Sequence, residues 1–191
     1  VAIDRYVPGV LDTAVIADDF GDAVRGAQAL HAAGCRTVGY VGFDLKITSL
    51  AERYRGYLAA TVYDVEKTTI LLTERNPDAG DLSGHLARLA AEGAIPDGFL
   101  VSSNGLSYRL LRILHDLGIT DTMIAKFGED PDWTDTGMIQ IRQPHEALGQ
   151  RAAYRIREMI TDGLITGERE TVATDIEIPD SHKTIIKEHH R

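Results

Sequence analysis

The residues best placed to do chemistry stand where apolar strands give way to helices. Gly98 to Leu117 reads GFLVSSNGLSYRLLRILHDL and changes its hydrophobic period halfway. Phe99, Leu100 and Val101 are continuous, as in a strand buried on both faces, whereas Leu106, Leu110, Ile113, Leu114 and Leu117 recur at helical spacing. Between them lies Ser102-Ser103-Asn104-Gly105. In an open parallel sheet, ligands bind beyond the carboxyl ends of strands, where backbone N–H groups of the next helix point outward. Ser103 and Asn104 are therefore candidate ligand contacts, set against plainer roles as a helix cap and a turn residue.

Other candidates stand in similar places. Asp18 and Asp19 follow the short strand Ala14 to Ala17 and precede a helix with Phe20, Val24, Ala27 and Leu30 or His31 on one face; they face the crevice or merely cap the helix. In the helix from about Ser49 to Thr61, Leu50, Tyr54, Tyr57 and Leu58 form the expected buried stripe, with Arg53 on its border. Arg53 can turn into the cleft or lie along the surface as long basic side chains do. The loop from Gly128 to Gly137 carries Glu129, Asp130 and Trp133. Its carboxylates lack calcium-loop spacing, so a solvated linker between lobes is the better reading than a metal site. Trp133 can stack on a sugar ring or cover one end of the core.

The elements that must position these residues alternate regularly. Strands at Thr37 to Val41, Thr68 to Leu72, Phe99 to Val101 and Met123 to Phe127 are separated by helices at about 49–61, 81–92 and 105–117. This alternation specifies an α/β fold with a parallel, doubly wound sheet. Right-handed crossovers give the strand order 2-1-3-4, which opens a crevice where Gly42-Phe43 meets Ser102 to Asn104, making Phe43 a further candidate. Met138 to Arg142 reads as a strand, Pro144 opens a helix to Gly163 lined by Leu148, Ala152, Ile156, Met159 and Ile160, and one strand is expected from Val172 to Ile178.

Composition narrows the function classes. With 191 residues, 43% hydrophobic and 26% charged, the chain has the composition of a globular domain. A formal net charge of −9 argues against direct DNA binding by this chain, which would need clustered Lys and Arg. A single cysteine, Cys35, excludes an internal disulfide, reads as a small core residue and fits a reducing, cytoplasmic setting. No apolar run reaches the roughly 18 residues of a membrane span, so no membrane partner is expected. Histidines are scattered, apart from adjacent His189-His190, and no G-x-S-x-G, P-loop or post-strand G-x-G-x-x-G motif occurs. No cofactor, metal or catalytic constellation is expected, and a binding module fits better than an enzyme.

Taken in order, VAIDR (1–5), VIADDFGDAVRGAQALHAAGCRTVGYVG (15–42), Arg53-Tyr-Arg-Gly56-Tyr57, PDGFLVSSNGLSYRLLRIL (96–114), IAKFGED (124–130) and IQIRQPHEALGQRAAYRI (139–156) resemble the effector-binding core of LacI/GalR-type transcriptional regulators. IAKFGED, with VAIDR and its long following loop, is most similar to the fructose and sucrose repressor branch. The resemblance implies a two-lobed type I periplasmic-binding-protein-like fold. The N-terminal lobe would be incomplete and formed by 1–35 and 137–165, and the C-terminal lobe by 36–136 and 166–191. It implies that Arg53, Asn104 and Asp18 or Asp19 contact a sugar or sugar phosphate effector in the interlobe cleft. Where many members carry an Asp this chain has Gly128, and the resemblance implies that the carboxylate role passes to Glu129 or Asp130.

The resemblance further implies a homodimer that meets operator DNA only through a helix-turn-helix missing upstream of Val1, and chain crossings near Gly34, near Asp132 to Gly137 and after Gly163. An exposed strand edge at Val1 to Ile3 points the same way, toward self-association. Two other readings stand beside this one: a transport-type sugar-binding protein of the same fold, and an α/β enzyme acting on a sugar phosphate through Asp18, Asp19, Glu129 and Asp130.

Overall fold

In the computed structural model, residues 1–7, 9, 13–61, 65–73, 79–129, 137–163 and 167–179 are described. They form two sheets with helices packed on them. The larger sheet has six strands: β3 (Val38–Phe43), β4 (Thr69–Leu72), β5 (Gly98–Val101), β6 (Met123–Phe127), β7 (Ile139–Arg142) and β9 (Asp175–Glu177). Their order is β4-β3-β5-β6-β7-β9, parallel except for the antiparallel edge strand β9. The four strands expected from periodicity thus lie in the expected 2-1-3-4 order. The smaller sheet holds β1 (Ala2–Ile3), β2 (Ala14–Ala17) and β8 (Arg169–Val172) in parallel.

Strand pleating divides the larger sheet's side chains between two helical layers. Phe99, Val101, Ile124 and Val41 face the helices α4 (Ala79–Ala91) and α5 (Asn104–Asp116), meeting Leu82, Leu86, Leu106, Leu110 and Leu114. Leu100, Ala125, Phe127 and Tyr40 face the opposite layer, where α1 (Asp19–Ala32) and α2 (Thr48–Ala60) bring Ala23, Leu30 and Tyr57. Cys35 is buried in this second layer, its Sγ 3.5 Å from Met123 Sδ. Helices α1 and α2 cross closely because Gly56 has no side chain: a Cβ there would lie 2.3 Å from the Phe20 carbonyl oxygen.

Several expectations are corrected. Helix α1 packs on the larger sheet and β7 pairs within it, whereas β8 joins the smaller one. The partition at residue 35, with 137–165 on one side and 166–191 on the other, is therefore not how the sheets are built. The single strand expected from Val172 to Ile178 is two strands in different sheets, because its alternation continues while the chain passes from β8 to β9. A short helix, α3 (Val65–Thr68), precedes β4. On α1 the buried face is Ala23, Gly26, Ala27 and Leu30, and Phe20 is exposed.

On α6 (His145–Asp162) only Leu148 and Ala152 are buried, while Ile160 is 79% exposed. The four-residue strands beneath it span roughly 13 Å, against about 27 Å for the 18-residue helix, so its second half overhangs the sheet. Among the described residues, no helix is long and apolar enough to cross a membrane.

Candidate functional site

Helix α2 is phased by its close approach to α1, which turns Leu50, Arg53 and Tyr57 inward and leaves Leu58 exposed and Tyr54 half-buried. The expected Tyr54 and Leu58 stripe is thus displaced, and Arg53 is an interior residue rather than one lying along the surface. Its Nε donates to Asp19 Oδ1 at 2.7 Å, Nη1 to the Ser102 carbonyl at 2.7 Å and Nη2 to Gln143 Oε1 at 3.2 Å. The guanidinium lies over the Phe127 ring, 4.1 Å from its centroid. Asp19 follows β2, Ser102 follows β5, Phe127 ends β6 and Gln143 follows β7, so Arg53 occupies the point where the carboxyl ends of both sheets converge. Burial pushes the Asp19 carboxyl up from 3.8 to about 6, against the opposing pull of the Arg53 charge.

Asn104 opens α5 and clasps the end of β6. Its Nδ2 donates to the Glu129 carbonyl at 2.6 Å, and its Oδ1 accepts from Lys126 Nζ at 2.7 Å. Gly128 makes this fit possible: its φ of +114 favours glycine, and a Cβ there would come within 2.9 Å of Asn104 Cβ. Lys126 is completely buried and was missed in the sequence, although a lysine inside the apolar run MIAKF was the available signal. Glu129 is exposed and its carboxylate accepts from Arg142, which also donates to Glu177.

The remaining candidates are distributed around this centre. Asp18 caps α1, its Oδ1 accepting from the Gly21 N–H at 3.1 Å, and it also lines a cavity. Ser103 precedes α5 in extended backbone, and its side chain makes no capping hydrogen bond. Phe43 ends β3 and packs on the α4 and α5 layer, across the sheet from Arg53. Asp130 and Trp133 lie outside the described residues. Among the described residues, no group of three or more His, Cys, Asp or Glu is arranged to hold a metal ion.

Two cavities flank Arg53. One, of about 220 Å³, lies between the smaller sheet and the first turns of α1 and α2, with Asp4, Asp18, Asp19, Glu52, Thr48 and Arg169 in its wall. The other, of about 440 Å³, opens by the β7–α6 turn and is lined by Glu129, Gln143, His145 and Glu146. Asp19 belongs to the first wall and Gln143 to the second, so the Arg53 fork bridges them.

The chain passes between the sheets at Asp18, at Gln143-Pro144 and at Ala173-Thr174. The crossing expected near Gly34 is not among them, the one expected near Asp132 to Gly137 falls largely outside the described residues, and the third observed crossing lies beyond Gly163. Arginines tie all three to the helices of the larger sheet. Arg53 holds Asp19 and Gln143, while Arg25, paired with the buried Asp22, donates from Nη2 to the Thr174 carbonyl at 2.8 Å. Such short, anchored crossings can act as a hinge between two lobes.

The family model for a periplasmic binding protein-like domain matches residues 27–181. Among solved structures, a LacI transcriptional regulator from Lactobacillus brevis superposes with a TM-score of 0.77 at 17% identity, covering 91% of this chain and 68% of that one. A putative transcription regulator from Staphylococcus saprophyticus gives 0.75 at 19% identity, with coverages of 94% and 68%. A periplasmic binding protein/LacI transcriptional regulator from Alkaliphilus metalliredigens, complexed with D-xylulofuranose, gives 0.64 at 14% identity, with coverages of 86% and 64%. The chain thus spans about two thirds of the length of these structures. Among curated proteins, none matches.

Proposed function

The chain belongs to the periplasmic binding protein-like domain family and has its type I α/β fold, and from this premise we propose that it is the ligand-sensing and dimerising region of a bacterial DNA-binding transcription regulator. The effector is a sugar or sugar phosphate bound between the two sheets. The observation that carries this reading is the Arg53 fork, which gathers residues from the ends of β2, β5 and β7 at the one place where both sheets present their carboxyl ends. Ligands of open α/β sheets bind there. Asn104 stands beside it, with Asp18 and Ser103 on the helix entrances.

The similarity to transcription regulators, one of them holding a pentulose, supports a sugar rather than another small molecule. Closing the sheets on a ligand favours one hinge arrangement, and in a dimer that bias reaches DNA-binding heads carried elsewhere in the protein. The β1 edge, unpaired among the described residues, and the exposed Ile156 and Ile160 of α6 support self-association.

Titration calorimetry with a panel of ketoses, aldoses and their phosphate esters, with sedimentation on the same samples, tests the proposal. Micromolar or tighter binding of one member by a dimer is expected. Turnover of a bound sugar phosphate would favour the enzyme reading, and absence of binding across the panel would reject sugar sensing.

A further inference from the structure

The effector-site reading leaves open whether the ligand carries a phosphate, and the charges around Arg53 bear on that. An arginine that receives an anionic ligand must present its fork to the incoming group. Here the fork is already occupied. Nε meets a carboxylate, both Nη atoms donate to protein oxygens, and the flat face is covered by Phe127. The Arg53 and Asp19 side chains are only 10% and 5% exposed, so their pairing is an interior contact, not a surface pair that solvent would loosen.

The other cations of the junction are engaged in the same way. Lys126 is fully buried against Asn104 Oδ1, Arg142 lies between Glu129 and Glu177, and Arg25 is held by Asp22. In the wall of the smaller cavity, Asp4, Asp18, Asp19 and Glu52 face Arg169, the single cation there among the described residues, which is stacked over Tyr6 at 3.7 Å. A phosphate entering there would meet carboxylates at close range, whereas sugar hydroxyls can donate to them.

Resting on the proposed effector site, we infer that Asp19 is its specificity-determining residue: it holds on Arg53 the place an anionic group would take, so that the site accepts an uncharged, hydroxyl-rich ligand and rejects its phosphate ester. The replacement Asp19→Asn keeps the shape and an acceptor for Arg53 Nε while removing the competing charge. Burial already favours the neutral form of Asp19, so the amide is compatible with the fold.

Sulfate, whose charge is constant over the useful pH range, is the probe. Thermal unfolding of the full chain in sulfate is compared with chloride at matched ionic strength, since a ligand of the folded state raises the midpoint. At pH 8 the parent is expected to respond equally to both salts, and Asp19→Asn to bind sulfate at least about tenfold more tightly than the parent. At pH 5 Asp19 takes up its proton, and the parent should acquire the sulfate response as well. Around Asp19 the other charged groups are Arg53 and Glu52 from α2, Asp4 beyond β1, Asp18 before α1, Asp22 on α1 itself and Arg169 on β8. An Arg53→Gln control, which should abolish the low-pH response, separates Arg53 from general anion uptake.

Sulfate binding by the parent at pH 8 equal to that of the variant would overturn the inference. So would a variant and a low-pH parent that both remain indifferent to sulfate, or a low-pH response that survives Arg53→Gln. Should Asp19→Asn fail to fold, the pH arm with its control decides. Failure of every neutral sugar to bind would sink the functional reading instead, and the sulfate comparison does not depend on it.

Discussion

Replacing Arg53 with alanine should destabilise the fold. The change removes the ionic partner of a carboxylate that is 5% exposed and breaks hydrogen bonds to Ser102 and Gln143. Breaking a buried pair in this way costs about 3–5 kcal/mol at neutral pH. The cost depends on pH in a definite direction. Burial raises the Asp19 pKa from 3.8 to about 6 even with the guanidinium beside it, and without the guanidinium it rises further.

A carboxyl with a raised folded-state pKa binds its proton more readily when folded. Stability contributed by that proton is therefore lost as pH climbs from 3.8 through the folded pKa. As pH falls from 7 to 5 the parent takes up this proton around pH 6, and the variant, whose Asp19 pKa is higher still, takes it up earlier in the descent. Since one unit of pKa difference corresponds to about 1.4 kcal/mol, the variant's deficit should narrow measurably between pH 7 and pH 5. Urea unfolding of both proteins at the two pH values, followed by circular dichroism, measures this, and the contribution of other acids such as Asp22 largely cancels in the difference. A deficit below about 1 kcal/mol at pH 7, or one that does not narrow, would refute the assignment of Arg53 and Asp19 as a coupled buried pair.

Two further substitutions probe the surroundings. Gly56→Ala improves helix propensity by about 1 kcal/mol but puts a Cβ 2.3 Å from the Phe20 carbonyl oxygen and 2.7 Å from Ala23 Cβ. It should lower stability by about 1–3 kcal/mol, and a thermal midpoint equal to or above the parent's would show that α1 and α2 can part freely. Asn104→Ala takes the acceptor from the buried Lys126 ammonium and the donor from the Glu129 carbonyl. It should reduce both stability and effector affinity by about 1–3 kcal/mol; calorimetry showing unchanged affinity alongside lost stability would make Asn104 purely a clasp.

Much of the larger sheet was legible because its signals are local. Phe99 to Val101 and Met123 to Phe127 are buried on both faces, so they read as continuous apolar runs, and handedness then orders them correctly. Asn104 was placed at a strand end for the same reason, whereas Arg53 could be placed only on the border of a helical stripe, open to the cleft or to the surface. What escaped depends on partners distant in sequence. The inward turn of Arg53, with Leu58 left outside, is set by the contact of Gly56 with α1, which hydrophobic period does not encode.

Likewise, alternation from Val172 to Ile178 looks the same whether one sheet or two receive it. The assignment of α1 to the larger sheet follows from Ala23 and Leu30 packing against Leu100 and Ile141 rather than from its position in the chain. Asp19 and Asp18 look interchangeable as adjacent aspartates. Only the fold makes one an interior ion-pair partner and the other a helix cap.

The smaller sheet also constrains how the molecule comes into being on the ribosome. Ala14 to Ala17 of its central strand β2 pair with Arg169 to Val172, which are synthesised only after every strand of the larger sheet except β9. The larger sheet can assemble most of its strands from neighbouring segments while synthesis proceeds, but β2 must wait, with one edge unpaired, until β8 appears. Closing so long a loop is slow relative to local pairing. The smaller sheet therefore forms late, and before β8 appears the uncharged, β-prone segment AVIA of β2 is a stretch open to misassociation.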